Sequence, residues 1–100
     1  MEKKKAHHDL GSLQRFMKAD QWMITVTAER NAWEDFEIDR NGIKSVILHL
    51  DKRDFYKSMT TLNDHTRWQD VYTPSLQGIS AYIKLQEENS KTVIIQFKRK

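Results

Sequence analysis

Apolar and polar positions along this 100-residue chain change period once, near Asp54. Before it, apolar residues recur every three or four positions, as on a helix. After it they alternate, as on a strand. Asp9 stands where a helix N-cap stands, ahead of Leu10, Leu13, Phe16 and Met17 on one apolar face. A short β-type run, Gln21 to Thr27, comes next. Thr25 or Thr27 is placed to cap a second helix through "AERNAWEDF", with Ala32, Trp33 and Phe36 turned inward. Asn41-Gly42 is a hairpin dipeptide. Yet Ile43, Val46, Ile47 and Leu50 keep the i, i+3, i+4, i+7 stripe, so Asn41-Gly42 marks the start of a third helix. Asp51 to Asp54 read as a polar turn.

Four strands are predicted after that turn: Phe55–Thr61, Thr66–Thr73, Gln77–Glu87 and Thr92–Lys98. The connections "LNDH", "PSL" and "ENSK" are short, so neighbouring strands run antiparallel. Helices first and strands afterwards predict an α+β fold, one domain over residues 1–100, with N-terminal helices packed on one face of a C-terminal antiparallel sheet.

Alternation then sorts the two faces. Tyr56, Ser58, Thr60, Trp68, Asp70, Tyr72, Ile79, Ala81, Ile83, Leu85, Val93, Ile95 and Phe97 form a set that is strongly apolar in the last two strands and belongs against the helices. Phe55, Lys57, Met59, Gln69, Val71, Thr73, Ser80, Tyr82, Lys84, Ile94, Gln96 and Lys98 form the other set, polar and cationic. Side chains from strands about 4.8 Å apart can converge on one phosphate.

Composition narrows the setting. The chain has no cysteine, which excludes a disulfide scaffold and a thiolate metal site and fits a cytoplasmic protein. No apolar run is long enough to span a membrane, and "MEKKKAHHDL" lacks the apolar stretch of a signal peptide. The net charge is +3; residues 1–50 carry eight cations and eight carboxylates, residues 51–100 nine and six. The excess therefore lies on the strand half, which points to a polyanion partner. Two readings of the cationic face remain open at this point. One is a solvated surface. The other is a nucleic-acid platform, with lysines for phosphates and Tyr82 or Phe55 for base stacking.

The run "DFYKSMTTLNDHTRWQDVY" closely resembles the corresponding stretch of the motility quorum-sensing regulator (MqsR) toxins, bacterial endoribonucleases of type II toxin–antitoxin systems. "MEKK", the tyrosine of "AYIKL" and the closing "FKRK" extend the resemblance over nearly the whole length. The acidic "EDFEID" is outside it. The resemblance implies a RelE-like fold and a site made of Lys57, Gln69, Tyr82 and Lys98; Met59 and Lys84 of the same polar face, and Arg99 beside Lys98, are the candidate substrate contacts. It implies cleavage of free mRNA at GC-containing triplets such as GCU, and neutralisation by a cognate zinc-binding helix-turn-helix antitoxin. It further implies that DNA is bound only through the toxin–antitoxin complex.

RNA carries its own nucleophile, the 2′-OH. A protein has only to align it, move protons and stabilise the phosphorane, with no cofactor, leaving a 2′,3′-cyclic phosphate and a 5′-hydroxyl. Lys57 and Lys98 are candidates for charge stabilisation. Arg99 and Lys100 are expected to lower the Lys98 pKa, helping it donate a proton. Tyr82 needs a lowered pKa to act as a base, and Gln69 can only hydrogen-bond. His65 is the rival base but falls in a turn, His49 on a helix surface, and His7-His8 do not form a metal pair. Trp22, Trp33 and Trp68 are expected in packing roles. A non-catalytic nucleic-acid-binding module using the same face is the alternative. A protein-interaction role through a free sheet edge is a third reading.

Overall fold

The computed structural model describes residues 1–100. In chain order it contains β1 (Glu2–Lys3), α1 (Leu10–Lys18), β2 (Trp22–Ile24), α2 (Val26–Phe36) and α3 (Arg40–Leu48). A 3-10 turn at Lys52–Asp54 leads into β3 (Phe55–Thr60), β4 (Trp68–Tyr72), β5 (Ser75–Leu76), β6 (Ile79–Glu87) and β7 (Thr92–Arg99). The sheet order is β1-β3-β4-β6-β7-β2, with the short β5 paired to β6. Every pair is antiparallel except β2–β7. The fold class is α+β, as the change of period predicted.

The helices begin where the sequence offers caps. Asp9 accepts from the Ser12 N–H, Thr25 from the Ala28 N–H and Asp39 from the Gly42 N–H, each satisfying an otherwise unpaired donor. Gly42 lies in the first turn of α3. A Cβ there would sit 2.6 Å from the Ile38 side chain, so the glycine permits a close approach and not a hairpin. A core of 14 buried side chains joins all three helices to one face of the sheet, among them Leu13, Met17, Ala32, Phe36, Ile43, Ile47, Ile83, Leu85, Ile94 and Phe97. Gln14 Nε2 donates to the carbonyls of Ile47, Leu48 and Leu50 and so closes the end of α3. No helix is long and apolar enough to cross a membrane.

Four expectations are corrected. The sheet has edges that the periodicity missed. Glu2–Lys3 pairs with β3, and only Trp22–Ile24 of the "QWMITVT" run is a strand, laid parallel on β7. Residues 75–87 are not one connection and one strand. Gln77 (φ 54°) and Gly78 (φ 78°) form a tight turn between β5 and β6. Trp33 does not face inward but is 56% exposed, because the buried stripe of α2 is Ala28, Ala32 and Phe36 and Trp33 lies one residue round from it.

The fourth correction concerns the faces. A register shift between Phe55 and Lys57 turns Phe55 toward the helices, where its ring meets Tyr72 edge-on at 5.6 Å. Tyr56 is left exposed instead. A second shift, in which Lys84 pairs with Gln96 but Leu85 pairs with Ile94, reverses the start of β7. Ile94 enters the core, while Val93 and Ile95 leave it. Each bulge adds one residue and so inverts the alternation on its far side.

Candidate active site

The face of the sheet away from the helices is built in rows by strand register. Tyr82 of β6 stands opposite Lys98 of β7. The next row is Lys57, Val71, Lys84 and Gln96, one residue from each of four strands. The third contains Met59 opposite Gln69, followed by Gln86 opposite Val93. Lys57, Met59, Gln69, Tyr82, Lys84 and Lys98 are thus brought onto one face. Arg99 is not. It pairs with fully buried Ala81, its alternation points to the helix side, and its backbone N–H donates to Asp35 of α2 at 2.9 Å.

Tyr82 is the centre of this face. The ammonium groups of Lys98 and Lys84 lie 5.4 Å and 5.8 Å from its ring centroid. Its hydroxyl reaches the Met59 sulfur at 3.8 Å. Burial pushes the Tyr82 pKa up, and the nearby Lys57 charge, which favours the phenolate, does not reverse this. Tyr82 is therefore a proton-bearing donor at neutral pH, contrary to the lowered pKa that a base would need.

The three lysines differ. Lys57 Nζ donates to Glu2 Oε2 at 2.7 Å. That hydrogen bond raises the Lys57 pKa and holds Glu2 below the usual carboxylate value. Lys84 is lowered, first by burial and then by the charges of Lys98 and Lys57. The lysine whose ammonium form is disfavoured is thus Lys84. Around the edge, the cations of Lys100, Lys4 and Lys57 lie 4.6, 5.1 and 5.3 Å from the ring of Tyr56. A nucleotide phosphate reaching this face would meet several ammonium groups and one phenol.

Gln69 is mostly buried. Its Nε2 donates to Gln86 Oε1 at 2.9 Å, and Gln86 Nε2 donates to Glu88 Oε2 at 3.0 Å. A groove of ≈ 470 Å³ beside them is lined in part by Asn63, Arg67 and Ile95.

The histidines lie elsewhere. His65 is on the exposed turn between β3 and β4. His49 Nδ1 is 2.7 Å from the Ser45 carbonyl at the end of α3. His7 and His8 precede α1 rather than opening it. Their backbone N–H groups donate to the buried Asp70 carboxylate, which also accepts from Ser58 Oγ, and the His7 ring stacks on Trp68. Nowhere do three His, Asp or Glu side chains converge in a metal-binding group.

Sequence reasoning missed Glu2, Tyr56 and Gln86. Gln86 was legible, since it continues the alternation of Tyr82 and Lys84. Tyr56 was hidden by the bulge and Glu2 by the shortness of β1.

Comparison with known proteins identifies the family. The family model described as "Motility quorum-sensing regulator, toxin of MqsA" matches residues 5–99. The mRNA interferase toxin MqsR of Escherichia coli (strain K12) is 40% identical over 100 residues, the full length of both chains. With a match across nearly all of its length, the chain belongs to the motility quorum-sensing regulator family of toxins.

Proposed function

We propose that this endoribonuclease toxin cleaves mRNA on the open face of its sheet, by attack of the RNA's own 2′-OH on the adjacent phosphate. The convergence of Lys57, Lys84 and Lys98 around Tyr82 carries this reading, because it supplies positive charge and a proton donor where a phosphorane develops negative charge. Lys57, with its raised pKa, is a fixed cation. Lys98 and Tyr82 bind the equatorial oxygens. Lys84, with its ammonium weakened by burial and by its neighbours, donates a proton to the leaving 5′-oxygen, and the amine so formed is reprotonated by the proton the 2′-OH releases, through solvent, so the step ends with no net change in protons. The products are a 2′,3′-cyclic phosphate and a 5′-hydroxyl, and no step calls for a metal or cofactor.

The family description names the chain's class as the toxin of an antitoxin. We take that partner to be a zinc-binding helix-turn-helix protein, and the preferred cuts to be GC-containing triplets such as GCU. β2 ends the sheet order, and the exposed Met23 on it gives such a partner a strand edge to pair with; Val26 and Trp33 of α2 are exposed apolar side chains as well.

Purified protein incubated with mRNA in EDTA, followed by mapping of the cut ends, tests the reading. Cyclic phosphate and 5′-hydroxyl ends are expected. RNA that is bound in a salt-sensitive way but never cut would make the face a binding module instead.

A further inference from the structure

Building on the endoribonuclease reading, we infer that Gln69 hydrogen-bonds the exocyclic amino group of a nucleobase through its carbonyl oxygen. Gln86, backed by Glu88 and Arg67, is the positioning residue that keeps that oxygen turned toward the RNA.

A glutamine amide donates at one end and accepts at the other, and nothing intrinsic to the residue decides which end faces a ligand. Here the surroundings decide. Glu88 Oε2 lies 3.7 Å from the Arg67 guanidinium, and a carboxylate oxygen only accepts. Gln86 must therefore present its N–H to Glu88, at 3.0 Å. Its carbonyl then faces Gln69, which answers with its own N–H at 2.9 Å. Polarity set at the carboxylate passes through two amides and fixes the third group in line. Gln69 Oε1 is left without a hydrogen-bond donor in the protein, and it is not sealed from solvent.

An acceptor oxygen repels the unprotonated oxygens of a phosphate. It needs an N–H or O–H. The 2′-OH that attacks lies beside the phosphate held by Tyr82 and Lys98. The Gln69 backbone is two rows from that of Tyr82, roughly 13 Å at the usual rise per residue, but the Tyr82 hydroxyl leans back to Met59 in the Gln69 row. Gln69 is thus within reach of the nucleotide beside the scissile phosphate, and its acceptor oxygen matches the base there rather than the phosphate. The ≈ 470 Å³ groove beside it is mostly polar: Gln69, Gln86, Asn63 and Arg67 offer hydrogen bonds to a base edge, Ile95 is its one apolar side chain, and the carboxylates of Asp64 and Glu88 on its wall favour an amino group over a phosphate.

The test starts from a cut mapped for the wild-type protein. Short RNAs are made around it in which each flanking base in turn is replaced by its analogue without the amino group: purine riboside for adenosine, inosine for guanosine, zebularine for cytidine. At one flanking position the wild-type kcat/KM is expected to fall about tenfold or more. In Glu88→Gln and Gln86→Met the amide is free to turn, and the penalty is expected to shrink below about threefold. Glu88→Gln preserves the β6–β7 turn, which is held by backbone bonds between Glu88 and Lys91 at 2.9 and 3.1 Å. A purely structural role for Gln86 lowers parent and analogue rates together and leaves their ratio unmoved. An unmoved ratio, no wild-type penalty at any flanking base, or cuts flanked only by uracil would overturn the inference while leaving the endoribonuclease reading intact. Failure of the wild type to cut any RNA removes both.

Discussion

The two faces of the sheet share strands and a hydrogen-bond ladder, yet they solve opposite problems. The helix side buries Ile83, Leu85, Ile94 and Phe97 completely and admits one carboxylate, Asp70. Asp70 is tolerated because it accepts from two backbone N–H groups and the Ser58 hydroxyl. The open side gathers Lys57, Lys84 and Lys98, and burial, with the neighbouring charges of Lys98 and Lys57 behind it, lowers the pKa of Lys84. One face holds the fold together. The other stores unfavourable electrostatics that an RNA phosphate relieves. Stability and activity therefore divide by face, and substitutions on each side separate them.

The largest effect is expected from the helix side. Phe97 is fully buried, with the Phe36 ring edge-on to it at 6.1 Å. Phe97→Ala removes a ring from a packed core and is expected to cost about 3–5 kcal/mol of stability, measured by urea unfolding. Its neighbour in sequence faces the other way. Lys98→Ala and Lys57→Ala are each expected to lower kcat/KM about 10²-fold to 10³-fold in an RNA cleavage assay, with the unfolding midpoint little changed. If Lys98→Ala unfolds the protein, or leaves cleavage intact, the division by face is wrong.

Much of this division was legible in the sequence. Alternation placed Lys57, Gln69, Tyr82 and Lys98 on one face because β4, most of β6 and the ends of β3 and β7 nearest these residues are regular. It failed at Phe55, Tyr56 and Val93 to Ile95 because a bulge adds a residue without leaving a mark in the pattern of polarity. Arg99 was placed beside Lys98 by sequence neighbourhood and not by alternation, which turns it to the helix side as the strand does. The edge strands β1 and β2 are two and three residues long, too short for any period, and their pairing is set by tertiary contacts. The amide relay from Gln69 to Glu88 joins two strands and so lies beyond a reading of either alone.

A smaller effect tests the cost of the half-buried charge. Lys84 has its folded pKa below the ordinary 10.5. Folding therefore disfavours its charged form. The penalty is present at neutral pH and is relieved as pH rises through the folded pKa toward the unfolded value. Lys84→Met is expected to raise stability at pH 7, by less than about 1 kcal/mol because the side chain is only partly buried and solvent screens it. The gain is expected to shrink in urea titrations at pH 10. Equal gains at both pH values would show that packing, and not charge, sets the lysine's environment.

The smallest effect concerns Glu2, the carboxylate paired with a lysine of the open face. Its contact with Lys57 at 2.7 Å occupies an ammonium that RNA needs. Glu2 is held below its ordinary 4.5 and Lys57 above its ordinary 10.5 by the same hydrogen bond. The pair is thus intact across neutral pH, breaking only as pH falls through the lowered Glu2 pKa or rises through the raised Lys57 pKa. Glu2→Gln keeps the backbone pairing of β1 with β3 but removes the competing charge. It is expected to tighten binding of a non-cleavable 2′-O-methyl RNA by a few-fold, about what an exposed ion pair is worth, in fluorescence anisotropy at low salt. The gain is expected to fade as salt screens the pair. Weaker binding by Glu2→Gln would mean that the carboxylate positions Lys57 for the phosphate rather than competing with it, and the open face would then depend on its edge strand for more than pairing.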